Sequence, residues 1–326
     1  MLLRRLLTPL VAAALLVAAG CGGSSQGGNA PSTDNPMTMT VADVAGIPSA
    51  FLKYGKRKGF FQQHGLKLKV DTGAGGSAII PGVVSGTYDV GGSNIMSVEL
   101  AASKGVPIKM VTAGTSARTT PEKAFGAILV RPDSGITEAA DLKGKTVAVN
   151  TLDGIAELTT KISLENHGVD PSTVKLTELG FPNMLAALNE GRVDAVWEIE
   201  PFLTLGLQSG KKPIIYPYLE TKPGMQVGSY VTSKQYLAEN SEAIKAFQAG
   251  VVDTAAAISK DPKAFRSALP QLTELSTEDA AKMRLPQWKG SVDRASLELI
   301  DKKLVKYGYI DEPVNIDEML APGAAK

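Results

Sequence analysis

The sequence predicts an α/β protein of two similar lobes, each built on a mostly parallel sheet, followed by a long helical tail. Three observations carry this. A chain of 326 residues, 44% hydrophobic and 21% charged, is long enough for two domains and apolar enough to bury a core in each. Strand-like alternation and helical spacing of apolar residues take turns along most of it, as in parallel sheets with helices on both faces. One unit of that pattern occurs twice. Gln63-His64-Gly65 leads to a strand, a helix, Gly86 and Asp89, and Asn166-His167-Gly168 leads to a strand, a helix, Gly191 and Asp194. The His-Gly pairs lie 103 residues apart and the Gly-x-x-Asp pairs 105, which fits two lobes rather than a tandem solenoid.

The chain opens on an address. Arg4 and Arg5 precede an apolar run from Leu6 to Ala19, broken by Thr8 and Pro9 and short for a bilayer span, so residues 1–20 read as a secretory signal. Ala18-Ala19-Gly20-Cys21 resembles the lipobox of bacterial lipoproteins, although Ala18 stands where that motif usually has Leu. The resemblance implies lipidation of Cys21 and anchoring to the outer side of the cell membrane through the lipid; the alternative is an ordinary cleaved signal and a free thiol. Residues 21–36, rich in Gly, Ser and Pro, read as a flexible tether, and the folded part is expected from Met37.

Thr38 to Asp43 reads as the first strand, with Phe51 and Tyr54 in the helix after it. Leu66, Leu68 and Val70 alternate as a strand, Ile79, Ile80, Val83 and Val84 follow at helical spacing, and Tyr88-Asp89-Val90 begins the next strand. In the second copy, Thr146 to Val149 is a strand. Val174, Leu176 and Leu179 form another, Met184, Leu185 and Leu188 a helix, and Val193 to Val196 a strand that runs on to Ile199. Each His sits in a last helical turn before a Gly suited to the left-handed cap, a structural role for both.

A short helix from Pro201 to Gly210 and strands at Pro213–Tyr216 and Val227–Thr232 come next. Only helices are expected beyond: Ser241–Ser259, Asp261–Leu269, Thr277–Trp288 and Val292–Tyr307, with Asp261-Pro262 and Ser276-Thr277-Glu278 as start signals. The tail is expected to return to the first lobe. That gives lobe 1 as 37–117 and 222–326, lobe 2 as 118–221, and two hinge crossings near Val111–Phe125 and Pro217–Met225.

Composition excludes several functions. Lys plus Arg is 34 and Asp plus Glu is 33, without the basic excess that nucleic-acid binding needs. One cysteine and two histidines leave no stock for a disulfide framework, a metal site or a thiol–imidazole pair. No cofactor is expected, and the Gly-x-x-x-x-Gly-Lys-Ser/Thr phosphate loop is absent from the sequence.

Four segments carry a resemblance. They are Lys58-Gly59-Phe60-Phe61 with Gly65-Leu66; Ser85-Gly86-Thr87-Tyr88-Asp89-Val90-Gly91; Asp141-Leu142-Lys143-Gly144-Lys145-Thr146-Val147-Ala148-Val149; and Ala186-Ala187-Leu188 through Gly191-Arg192-Val193-Asp194-Ala195 to Glu200-Pro201-Phe202. In this order, over roughly residues 40–210, the chain resembles the substrate-binding proteins of bacterial ABC importers, in the SsuA/NMT1-like group of nitrate, sulfonate and taurine binders that also includes pyrimidine-precursor binders. The resemblance implies a type II periplasmic binding protein fold, a small-molecule solute, and as partners an ABC permease with its ATPase subunit.

Ligands of open α/β sheets bind beyond the carboxyl ends of the strands, where helix N-termini present free N–H groups. That principle selects Gly46, Ile47, Pro48 and Phe51 after the first strand, and Gly75, Gly76 and Ser77 opening a helix. It adds Ser93 and Asn94, and Asn150, Thr151, Asp153 and Gly154 after the strand ending at Val149. A plain tight turn explains such glycine clusters equally well. Glu198 and Glu200 alternate with Trp197 and Ile199, so both carboxylates share one side of a strand. They are candidates for a cationic or hydrogen-bond-donating solute, against the simpler reading that Glu200 caps the helix begun at Pro201 and Glu198 is solvated. Arg118 and Arg131 are expected to pair at the surface or hinge rather than to meet a ligand.

The expected function is a lipid-anchored, monomeric receptor that captures a small organic anion or zwitterion and makes or breaks no bond. Trp197, Phe51 and Tyr54 would equally stack on a pyrimidine or an aromatic acid. The rival from another class is a pyrimidine-precursor synthase-like enzyme, which draws on histidine and cysteine chemistry that this chain does not stock; a third reading is a sensor that binds without transport.

Overall fold

The computed structural model describes residues 30–325. The signal segment, Cys21 and the tether up to residue 29 lie outside the described residues. Pro31 and Ser32, expected to belong to the tether, run against Gly65: a side-chain carbon there would lie 2.5 Å from the Pro31 carbonyl carbon.

The chain begins its folded part with β1 (Met37–Val44), α1 (Ile47–Lys58), β2 (Leu66–Gly73), α2 (Gly76–Val84), β3 (Val90–Asn94), α3 (Ile95–Ser103) and β4 (Ile108–Ala113). A short strand β5 (Thr115–Ser116) leads to β6 (Gly126–Val130), β7 (Thr146–Val149), α4 (Ile155–Asn166), β8 (Lys175–Glu178), α5 (Phe181–Asn189) and β9 (Ala195–Ile199). After α6 (Phe202–Gln208), β10 (Lys212–Ile215) and α7 (Pro217–Thr221), β11 (Gly228–Ser233) returns to the start. The tail is α8 (Lys234–Glu239), α9 (Ser241–Lys260), α10 (Pro262–Leu272), α11 (Thr277–Lys282), β12 (Gln287–Trp288), α12 (Arg294–Lys306) and α13 (Ile316–Met319).

Two five-stranded sheets result, in the orders β2-β1-β3-β11-β4 and β10-β6-β9-β7-β8. In the first, β1 runs parallel to β2 and β3 while β11 is antiparallel to its neighbours; in the second, β7 runs parallel to β8 and β9 while β6 is antiparallel. The central strands of the second sheet are covered on both faces, and all five residues of β6 and all five of β9 are buried, whereas the edge strand β2 of the first alternates buried Leu66 and Leu68 with exposed Lys67 and Lys69. Phe247, Phe265 and Trp197, all fully buried, anchor these cores.

The repeated Gly-x-x-Asp has a physical cause. Asp89 accepts from the Thr40 N–H at 2.7 Å and returns its own N–H to the Thr40 carbonyl at 2.9 Å. Asp194 does the same with Thr146, at 2.8 and 2.9 Å. The aspartate therefore precedes its strand and clamps it to the parallel strand alongside, where the sequence reading had begun β3 at Tyr88. The Gly after each His takes the left-handed region, Gly65 at φ 77° and Gly168 at φ 72°. His64 meets Asp253 at 2.6 Å and His167 meets Glu220 at 3.2 Å.

The chain passes between the sheets after β5 and before β11, and the two passages are bonded to each other: Ala117 N–H to Met225 O at 2.7 Å, Val227 N–H to Thr115 O at 2.9 Å. The tail packs α9 and α10 on α1 and α12 on α3. One expectation fails here. Thr277–Trp288 is not a single helix, because α11 stops at Lys282 ahead of Pro286, and Gln287–Trp288 extends to pair with β5. Arg118 and Arg131 donate to main-chain carbonyls, Arg118 to Leu285 and Pro286 and Arg131 to Leu188. Among the described residues no helix is long and apolar enough to cross a membrane.

Candidate functional site

The parallel strands of both sheets end toward each other. β1 ends beside Asp43, β3 on Asn94, β7 on the turn Asn150-Thr151, and β9 on Ile199. Two contacts close the gap. Asn150 Nδ2 donates to the Ala74 carbonyl at 3.1 Å, with Gly75 packed so tightly beneath that a side-chain carbon would lie 3.0 Å from Asn150 Nδ2 and 3.1 Å from Thr151 Cγ2. On the other side Ile47 N–H points to the Glu200 carbonyl at 3.5 Å, and a carbon on Gly46 would lie 2.9 Å from that oxygen. Between the contacts a cavity of about 60 Å³ remains.

Its chemistry comes from four sources. Helices α2 and α4 start at Gly75 and Gly154, neither of which offers a capping side chain, so their first-turn N–H groups keep their partial positive charge for another acceptor. Thr151, buried with its hydroxyl unpartnered, touches both starts: Oγ1 lies 3.4 Å from a carbon placed on Gly75 and 2.5 Å from one on Gly154. Ser229 adds a second buried, unpartnered hydroxyl. Phe125, Phe181 and Tyr218 form an aromatic wall, with Tyr218 edge-on to Trp197 at 4.7 Å. Asp43 is the one carboxyl group lining it, and no Lys, Arg or His of the described residues does.

Pro48, Gly75, Ser93, Asn94 and Asn150 line the cavity as expected from strand ends. The others lie elsewhere. Gly46 and Ile47 form the lobe contact through their backbone, while the Ile47 side chain enters the core. Phe51 is fully buried and stacked on Trp288 at 5.1 Å, and Tyr54 is edge-on to Phe265, because the apolar face of α1 turns to the tail helices. Gly76 packs against Ser93 and Ser97, Ser77 and Asp153 are exposed, and Thr151 and Gly154 sit at the α4 start just behind the wall that Ile155 contributes.

The two glutamates are corrected most. Glu200 accepts from Thr204 N–H at 3.1 Å, Thr204 Oγ1 at 2.9 Å and Arg284 N–H at 3.0 Å; burial pushes its pKa up to about 7 against those bonds. It caps α6, the simpler of the two readings. Glu198 is not solvated but fully buried, with neither carboxylate oxygen partnered, and burial holds its pKa well above the usual range.

Asp43, Phe125, Ser229 and Tyr230 were not singled out as ligand contacts from the sequence. Tyr230 and Ser229 lie on β11, and Phe125 adjoins β6. Both strands are antiparallel to their neighbours, so they reach the cavity by their amino ends, which a rule built on carboxyl ends passes over.

The family model of NMT1/THI5-like proteins matches residues 48–265. The chain belongs to this NMT1/THI5-like family. A Brachyspira hyodysenteriae protein named as an ABC transporter periplasmic binding protein is 26% identical over 275 residues, 79% of this chain and 75% of the relative. The taurine-binding periplasmic protein of Escherichia coli is 22% identical over 215 residues, 66% and 63% of the two chains. Across the curated relatives the matched stretch spans 62% to 75% of their own length. Among solved structures, the alkanesulfonate-binding protein SsuA of Xanthomonas axonopodis pv. citri, bound to MOPS, superimposes with a TM-score of 0.74 at 17% identity, covering 88% of this chain and 99% of that one. The desulfurization enzyme DszB gives 0.60 at 17% identity, covering 87% and 97%. At such identities the likeness establishes the fold, that of periplasmic binding proteins, as the four sequence segments implied.

Proposed function

We propose that this NMT1/THI5-like protein is the extracytoplasmic solute receptor of an ABC importer. It closes its lobes on a small organic anion or zwitterion of the sulfonate, taurine or nitrate kind and delivers it to a permease driven by a separate ATPase subunit. One observation carries the reading: two helix starts without side-chain caps, one from each lobe, meet at an unpartnered buried hydroxyl beside a small cavity. Such ends stabilise an anionic oxygen, and charge-assisted hydrogen bonds to it are about twice as strong as neutral ones. The names of the relatives point the same way. Lipid anchoring through Cys21 and a monomeric state belong to the same proposal and rest on the lipobox resemblance and on the family's way of working.

The aromatic wall of Phe125, Phe181 and Tyr218 favours a second ligand class, a pyrimidine-type thiamine precursor or an aromatic acid. A thermal-shift screen of sulfonates, nitrate, pyrimidines and aromatic acids tests both. A ligand at 100 times its Kd stabilises by about 2.7 kcal/mol, so a hit raises the melting temperature by several degrees. A screen without any rise contradicts these solute classes, and turnover of a screened compound contradicts the non-enzymatic character of the receptor.

A further inference from the structure

Asp43 sits near the end of β1 with 4% of its surface exposed. Its Oδ1 accepts from the Val44 N–H at 2.7 Å and its Oδ2 from the Tyr230 hydroxyl at 3.0 Å. Room for the carboxyl is built in: β3 carries Gly92 alongside, where a side-chain carbon would lie 2.0 Å from Oδ1. The other buried acids with defined partners are held elsewhere, Glu157 by Lys161 and Tyr309, Glu200 by its three donors and Asp301 by the Val314 N–H. Asp43 alone opens on the cavity, and no basic side chain of the described residues lines that cavity. A carboxylate removed from water without a cation is unfavourable, and two neutral donors compensate only part of the loss. Burial accordingly pushes its pKa up to about 7.

We infer that Asp43, oriented by Tyr230, is the residue that selects the charge of the solute: it receives a protonated amine, while the amide ends of α2 and α4 receive the acidic group of the same molecule. The solute class is then a small zwitterion, an ammonium and a sulfonate or carboxylate on a short linker, in preference to the same acid without the amine. The inference rests on the receptor reading above and narrows it.

The test is a calorimetric titration with a matched pair, taurine and isethionate, which differ by an ammonium in place of a hydroxyl. Wild-type protein is expected to bind taurine at least about tenfold more tightly. Asp43→Asn should reduce that ratio to within about threefold while isethionate still binds, which also reports a folded variant, and Tyr230→Phe, which keeps the carboxylate but frees it, should give an intermediate ratio. If wild-type protein binds isethionate as tightly as taurine, or if both variants keep the wild-type ratio, the assignment of Asp43 falls and the receptor reading stands. If the folded wild-type protein binds neither compound, the short aminosulfonate class and the assignment of Asp43 both fall, while the receptor reading stands or falls on the wider thermal-shift screen.

Discussion

The backbone N–H of Arg284 donates to Glu200 Oε1 at 3.0 Å, so a residue of the tail, whose helices pack on the first sheet, is tied to the end of β9 in the second. The sequence marks Glu200 as a carboxylate at a strand end; the structure turns it toward Thr204 and the tail. Glu200→Ala would leave two buried donors of Thr204 and the part-buried Arg284 N–H without this acceptor, at a cost of about 1–3 kcal/mol. A lower melting temperature in calorimetry is the expected result, and an unchanged one contradicts the assignment of Glu200 as a strut.

On the proposed function, closure depends on Gly75. A valine there must occupy space within about 3 Å of Asn150 and Thr151, so Gly75→Val should hold the lobes apart. Solute affinity should fall by at least about tenfold with the melting temperature of the unliganded protein nearly unchanged. Unaltered affinity in titration calorimetry would count against a cavity shut at this contact.

Tyr309 couples the tail to the other side of the cavity. Its hydroxyl donates to Glu157 Oε1 at 2.5 Å and accepts from Lys161 at 2.7 Å, and Lys306 reaches Glu165 at 2.5 Å. Glu157 lies in the first turn of α4. Tyr309→Phe removes about 1 kcal/mol of this bonding and should speed solute release roughly fivefold. Stopped-flow displacement measures that rate, and a rate equal to wild type speaks against the tie.

Glu198 makes a pH prediction of definite sign. Burial raises its folded-state pKa well above the 4.5 of an unfolded glutamate, so between those values the folded protein holds a proton that the unfolded chain has lost. Its contribution is neutral below about pH 4.5 and becomes increasingly destabilising as pH rises. Glu198→Gln should match wild type near pH 4 and exceed it progressively toward pH 8 in denaturant titrations. A stability difference that is constant across this range refutes the buried, neutral carboxyl.

Much of the architecture was legible because it is written twice. The Gly-x-x-Asp recurrence marks the point in each lobe where an aspartate clamps two parallel strands, and apolar periodicity located the helix just before each of them, α2 and α5. Pro286 already argues against one helix through Thr277–Trp288, but the extension of Gln287–Trp288 was not legible, since it depends on β5, more than a hundred residues away. The site divides along the same line. Positions that follow a parallel strand, such as Asn94 and Asn150, could be named from local order. Asp43 and Tyr230 could not, because their pairing is set by an antiparallel strand inserted from the far end of the chain, and the direction of the Glu200 side chain is decided by a tail residue 84 positions away.

The central claim is that two lobes close around a solute, and the distance across the mouth tests it most directly. Spin labels at Ser77→Cys and Asp153→Cys, exposed positions on opposite lobes, placed in a Cys21→Ser background, report that distance by pulsed electron resonance. The account predicts a broad distribution without ligand that contracts to one short distance when a bound solute is added. A distribution that stays the same while calorimetry records binding would contradict it.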